Sequence, residues 1–554
     1  MSGEITLDEV KRRAAVAGLA IREDRLESVR QLLKDALAPL RRMDSRAVLT
    51  LEPATTFDAD PGGSYVEKRA GFPGALASVG GLGGPAARPA TLVAARDELV
   101  YAGIRELGTR FRKRETSPVE VTTALLDRIA RVDPKLNAFL TLTADRALAE
   151  AKAAETALLR GDGHPLLGIP LGYKDIYDTR GIKTTAGSAL WADRVPSGDS
   201  TCVARLQNAG GVMLGKLITH EFAWGIQSPG HRFKPARNPW NLDHIPGGSS
   251  SGSGAALAAG LCAGALGTDT GGSIRLPAAC CGIVGLKPTY GRCSRAGVAS
   301  LSWTLDHTGP MARSVEDCAI LLQTLAGHDP LDPASSRAPV GDYMGALGQS
   351  VRGLRIGVPR DYFFDGADAE VSAAFESAMA VLRGLGAEVR DVTIPHIWDS
   401  PSFMAIMASE AFAYHERDLR EHPELYGDLL RDRLMSGGLY TGAEYVQAMR
   451  LRERLRHEML DVLRTVDLLA TPTSPKPAPT FATMWDTTLG FPRSNTPPFN
   501  LSGLPALALP DGFASAGLPI SLQLTGRPFD EATVLRAGHA YKQATDWHRR
   551  RPPV

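Results

Sequence analysis

Gly247-Gly248-Ser249-Ser250-Ser251-Gly252-Ser253 and Gly267-Thr268-Asp269-Thr270-Gly271-Gly272-Ser273 are two serine-bearing glycine loops that flank a stretch of small, apolar residues. Glycines let backbone N–H groups converge on a developing anion without Cβ obstruction, and a hydroxyl at the loop's end supplies a nucleophile. The combination points to acyl transfer. A serine hydroxyl needs a base at neutral pH. His244 is the histidine closest in sequence to the loops, but nothing local marks it as paired with an orienting carboxylate. Lys174 does better: it follows the apolar, strand-like run Gly168-Ile169-Pro170-Leu171-Gly172-Tyr173, where burial can hold an amine neutral.

Set in their flanking motifs, Lys174, Ser249 and Ser273 resemble the lysine, cis-serine and nucleophilic serine of the amidase signature family. The likeness runs from Leu167 through Thr184-Thr185-Ala186-Gly187-Ser188, His220-Glu221-Phe222-Ala223 and Arg237-Asn238-Pro239-Trp240-Asn241 to Gly282 through Thr289. It resumes at Asn500-Leu501-Ser502-Gly503-Leu504-Pro505-Ala506 and from Gly517-Leu518-Pro519 through Gly526-Arg527-Pro528. The resemblance implies that Ser273 attacks the carbonyl, Ser249 relays its proton and neutral Lys174 accepts it. It also implies an oxyanion hole built from the N–H groups of Thr270, Gly271, Gly272 and Ser273, each worth roughly 3 kcal/mol. A cis peptide from Gly248 to Ser249 is expected, and neither a cofactor nor a metal. The family's more frequent first loop has Gly where this chain has Ser251, and Ala where it has Gly254.

Plainer readings sit beside these. Asp175 and Asp269 are expected to anchor loop backbone, and Arg275 to pin the loop rather than touch substrate. Gly248 to Gly252 imitates a G-x-S-x-G elbow centred on Ser250, but no buried strand precedes it. Gly210 to Lys216 imitates a phosphate loop, but Leu217 stands where a hydroxyl should hold magnesium. Ala255 to Gly267 is too short and glycine-interrupted to cross a bilayer, so a buried helix is expected there.

Lys plus Arg number 62 against 61 Asp plus Glu, so no global field favours nucleic acid or an anionic membrane. The 6 cysteines form no CxxC pair, which argues against a zinc site and a disulfide framework. The first residues lack a secretory pattern, and a cytoplasmic location is expected. The expected partner is a small-molecule amide, with no nucleic acid and no membrane; a homo-oligomer is left open.

Leu7, Val10 and Ala14, then Leu26, Val29, Leu33, Leu37 and Leu40, recur at helical spacing and predict helices between Thr6 and about Asp44. This segment resembles the small C subunit of the tRNA-dependent amidotransferases. Three parts are expected: a helical segment over 1–59, a Gly/Pro-rich linker over 60–89 and a catalytic body over 90–554. In the body, Ser117-Pro118-Val119-Glu120 carries the residues of a capped helix start. Strand-like runs at Val212, Leu354 and Leu468 alternate with helical stretches such as Val371 to Leu385, which indicates an α/β fold. The resemblance sharpens this to a mixed central sheet with helices on both faces. Substrate preference is expected between about Asp329 and Trp485, where Phe403, Met404, Met407, Phe412, Tyr414, Tyr440, Tyr445 and Trp485 are candidates for an apolar pocket.

Two functions compete. The first is an amidase cleaving the C–N bond of a small, linear carboxylic amide, with an aryl amide, carbamate or urea-like compound as options. The second is the glutamine-hydrolysing component of a tRNA-dependent amidotransferase. The arginine-containing segment by which that component recognises glutamine is not found in its usual form, so the sequence favours the first.

Overall fold

Neighbouring residues of a strand face opposite sides, so a strand buried at every position must be covered on both faces. β2 (Pro170–Lys174), β3 (Val212–Leu217), β4 (Gly264–Asp269), β5 (Val284–Lys287) and β6 (His307–Ala312) all meet that condition. The computed structural model, which describes residues 5–42, 98–226, 231–486 and 494–554, places them in one sheet with β1 (Phe139–Leu142), β7 (Arg355–Pro359), β8 (Glu388–Val392), β9 (Leu468–Pro472), β10 (Ala506–Phe513) and β11 (Pro519–Thr525). The 11-stranded order is β1-β3-β2-β4-β6-β5-β10-β11-β9-β7-β8. β3, β2 and β4 run parallel, whereas β4–β6, β5–β10 and β10–β11 are antiparallel. The sheet is therefore mixed and helix-covered, the α/β architecture expected.

Local signals set the boundaries. Ser117 accepts from Glu120 N, and Glu120 accepts in return from Ser117 N, which opens the helix Pro118–Leu136 with a full capping box. The stretch between the two glycine loops differs from expectation. Its helix, Ser251–Ala258, stops before Gly260, whose φ of 68° is left-handed, and β4 begins at Gly264. β4 reads Gly-Ala-Leu-Gly-Thr-Asp, so small residues hid the strand from a reading that looks for β-branched side chains.

The N-terminal helices are Leu7–Ala17 and Leu26–Arg42. Val10, Ala14, Leu26, Val29, Leu33 and Leu37 join Leu439 in a satellite apolar cluster, while Leu7, the first helical residue, is exposed. Arg13 clamps Glu444 with two N–H···O bonds of 2.7 and 2.9 Å, and Arg420 donates to Ala17 O and Gly18 O at the end of the first helix. The expected linker over 60–89 and the expected body start near Ala90 lie outside the described residues. Among the described residues no helix is long and apolar enough to cross a membrane.

Candidate active site

Parallel strands present their carboxyl ends on one edge, where the following loops gather. Lys174 is the last residue of β2, and Thr268 and Asp269 end the adjacent β4. Lys174 is fully buried, with Nζ 2.8 Å from Ser249 Oγ and 2.7 Å from Thr268 Oγ1. Burial pushes its ammonium down to about 7, against the opposite pull of the Asp269 and Asp306 carboxylates. A lysine poised there has a neutral fraction at physiological pH and a hydroxyl within proton-transfer distance.

The first loop delivers Ser249 through a cis peptide after Gly248. The Ser249 carbonyl accepts from His220 N at 3.0 Å and Thr219 Oγ1 at 3.1 Å. A side chain at Gly248 would strike the His220 ring, with Cε1 only 2.0 Å from its Cβ position. Ser250 and Ser251, the competing hydroxyls, point elsewhere: Ser250 Oγ donates to Thr268 O and Ser251 Oγ to Ile218 O. This removes the elbow reading of Ser250.

The second loop is held by its own acid. Asp269 accepts from Gly272 N, Ile274 N, Asn500 Nδ2 and two nitrogens of Arg275. Burial works against its charge, but Arg275 holds the carboxyl well below the usual carboxylate range. Arg275 also donates to Thr496 O, Gln523 Oε1 and Asn500 Oδ1, so it pins the loop, as expected. The loop turns at Gly272, whose φ of 137° suits glycine alone. Ser273 is half-buried, and Ser250 N donates to its carbonyl at 3.2 Å, joining the two loops one residue from Ser249. Among the described residues the N–H groups of Thr270, Gly271 and Ser273 donate to no protein acceptor. Gly272 departs from the expected set of four donors, because its N–H is already bonded to Asp269 at 2.8 Å.

Several contributors were not foreseen. Thr268 lies inside the quoted loop, where its hydroxyl was the available signal. Asp306 accepts from Thr270 Oγ1 at 2.6 Å, Ser300 Oγ, Leu301 N and Ser302 N, and so steadies the second loop from outside. Lys216, passed over as part of a phosphate-loop imitation, is a second fully buried lysine, bonded to Tyr177 O and Thr184 Oγ1. Beside Thr268 and Thr270 lies a cavity of about 180 Å³, walled also by Arg295, Trp303, Asp306 and Asp332.

The candidate pocket residues scatter. Phe403 abuts the second glycine loop, its Cζ 2.6 Å from where a Cβ on Gly271 would stand. Met407 is core, Tyr440 packs under the N-terminal helices, Tyr445 donates to Glu410 and Tyr414 is exposed. The side chain of Trp485 lies outside the described residues. All six cysteines are buried and free.

The Amidase family profile matches residues 120–535. The A-type subunit of glutamyl-tRNA(Gln) amidotransferase from Roseiflexus sp. strain RS-1 is 48% identical over 466 residues, covering 79% of this chain and 96% of the relative. The protein of the same name from Geobacter metallireducens is 44% identical, covering 81% and 99%. A solved structure, described as part of a vestigial complex that reveals the origins of an s-triazine catabolic enzyme, superposes with a TM-score of 0.75 at 37% identity, covering 80% of this chain and 98% of that one.

Two expectations are corrected by these relatives. The small-amide hydrolase reading gives way, because the amidotransferase subunits match at up to 48% identity over nearly their whole length. Both functions share C–N cleavage by one set of groups, so the loops that reveal the cleavage do not say where the nitrogen goes. The expectation of a small-molecule partner without nucleic acid fails on the same finding, since the relatives are named for a tRNA-borne substrate. Net charge averages over the whole chain, and a near-zero balance does not exclude a role in an RNA-handling assembly.

Proposed function

The chain belongs to the amidase signature family, and from that premise we propose that it is the glutamine-hydrolysing component of a tRNA-dependent amidotransferase. The observation that carries the reading is the 48% identity to such a component over 96% of its length. The site supplies matching chemistry. Ser273 Oγ attacks the side-chain carbonyl carbon of glutamine; its proton passes to Ser249 Oγ as the Ser249 proton passes to Lys174 Nζ. The oxyanion is held by the N–H groups of Thr270, Gly271 and Ser273. Collapse breaks the C–N bond, the proton returns from Lys174 to the nitrogen, and ammonia leaves. Water, activated by the same lysine, then cleaves the acyl ester to glutamate.

The 180 Å³ cavity carries charges of both signs, Arg295 paired with Asp332 and the Asp306 carboxylate, which suits a zwitterionic amino acid. The released ammonia goes to a partner protein that holds an aminoacyl-tRNA, in the cytoplasm. In this reading residues 1–59 form a helical segment comparable to a C subunit, 60–89 a linker and 90–554 the catalytic body.

The test is incubation of the purified chain with L-glutamine, alone and with the tRNA-binding component of an amidotransferase, measuring glutamate and ammonia. Equimolar release that Ser273→Ala abolishes is expected. Hydrolysis of simple aryl amides with glutamine left intact under both conditions would contradict the reading.

A further inference from the structure

Near its C-terminus the chain folds back onto the body: Pro552 is buried and Val554 packs against the main core. Just before them, Arg549, Arg550 and Arg551 are exposed and line a groove of about 760 Å³ whose walls also carry Arg105, Arg313 and Tyr101. Aromatic faces fix the guanidinium groups. Arg551 lies over the Tyr101 ring at 4.3 Å and Arg313 over the same ring at 5.8 Å, while Arg550 sits over Phe513 at 4.6 Å and Trp547 at 5.0 Å.

Among the described residues no carboxylate pairs with Arg105, Arg549, Arg550 or Arg551. The acids of the groove have partners of their own: Glu106 pairs with Arg110 and Glu316 with Lys542, Glu115 lies near Lys113, and Asp317 accepts from the backbone N–H of Arg105 and faces Arg313. Burial lowers Arg313, the Asp317 carboxylate among others pulls the other way, and Arg551 adds a smaller push downward. The guanidinium groups of Arg105, Arg549, Arg550 and Arg551, left without a paired carboxylate, repel one another, and an anion entering the groove relieves them.

The groove is separate from the candidate active site. The helices Ser251–Ala258 and Arg275–Cys281 begin beside Ser249 and Ser273, and their far ends, Ala258 and Cys281, help line it. An eight-residue helix spans about 12 Å. Carbonyls at such helix ends disfavour an anion, but Arg313 donates to Leu257 O and Cys262 O and offsets them.

We propose that this groove binds the phosphate backbone of RNA, holding it at the opposite end of these helices from the catalytic groups. Arginine forks match phosphate oxygens, and guanidinium groups laid on aromatic rings are already ordered, so little entropy is lost on binding. The choice of RNA over an acidic protein surface rests on the proposed function; the anion site itself rests on the groove.

The test uses the full chain and a fluorescein-labelled tRNA transcript, with fluorescence anisotropy read from 50 to 200 mM salt. Wild-type protein should bind with a salt-sensitive affinity. Arg549→Ala/Arg551→Ala should weaken it at least tenfold and lower the salt slope by roughly one per arginine removed. Arg105→Glu, an exposed position unrelated to the tail's packing, should weaken binding to a similar degree. Absence of wild-type binding at 50 mM salt, or equal affinity in both variants, would overturn the proposal. So would loss of a poly-glutamate peptide, but not of RNA, in the variants. Glutamine turnover, measured on the same samples, should not change in the variants. Its absence from the wild type counts against the proposed function alone, because a variant-sensitive RNA affinity still supports the groove.

Discussion

Lys174 and Lys216 sit on the neighbouring parallel strands β2 and β3, one register step apart, and both are completely buried. Their partners differ. Lys174 faces two hydroxyls, Ser249 and Thr268, whereas Lys216 has Tyr177 O, the hydroxyls of Thr184 and Thr179, and the Asp175 carboxylate at 3.5 Å. Burial lowers both, to about 7 for Lys174 and about 8 for Lys216, where Asp175 pulls the other way. Burial alone does not make a base. A neutral lysine facing a serine hydroxyl can take its proton, whereas one locked to a buried acid and a carbonyl stays a structural cation.

The largest effect should come from removing the group that Lys174 serves. Ser273→Ala is expected to lower glutamine turnover by at least about 10⁴-fold with the melting temperature nearly unchanged, as read by ammonia release and thermal unfolding. Lys174→Met should cost about 10³-fold in kcat. The same substitution should stabilise the fold at pH 7. A lysine whose folded value of about 7 lies below its ordinary 10.5 carries a penalty that is full below pH 7 and fades as pH rises toward 10.5. Lys216→Met should do the reverse. It leaves Asp175 buried beside no cation and should destabilise by about 3–5 kcal/mol in denaturant titration, while the folded fraction keeps its pH–rate profile. Opposite stability signs for the two lysines would sharpen the distinction; equal signs would break it. Thr268→Val, the smallest change, should lower kcat about tenfold by taking one of the two hydroxyl contacts from Lys174.

The sequence made the candidate site legible because the chemistry expected of it needs rare local patterns. Glycine loops ending in hydroxyls, and a lysine closing an apolar run, pointed to Lys174, Ser249 and Ser273. Their local anchor Arg275 was legible for the same reason, two residues from Ser273 and bonded to Asp269. Contacts made across long separations were not. Asp306 reaches Thr270 from 36 residues away, and nothing in its own surroundings announces that bond. The commitment of Gly272 N–H to Asp269 depends on the turn's geometry rather than on residue types. Helical spacing identified Val10, Val29 and Leu33, but not the Arg13–Glu444 clamp that fixes their helices to the body. Strands of small residues such as β4 carry too little side-chain signal to separate from helix. The destination of the nitrogen left no local motif, which is why the sequence favoured the reading that the relatives do not support.

The central claim is that a neutral Lys174 activates Ser273 through Ser249. Its most direct test is peptide mass spectrometry of the chain trapped with an electrophilic glutamine analogue, with labelling rates measured from pH 5.5 to 9. Label on Ser273 is expected, with a rate that rises with pH through a midpoint near 7 as Lys174 loses its proton, and almost no labelling in Lys174→Met. Label on another residue, or a rate indifferent to both pH and the loss of Lys174, would contradict it.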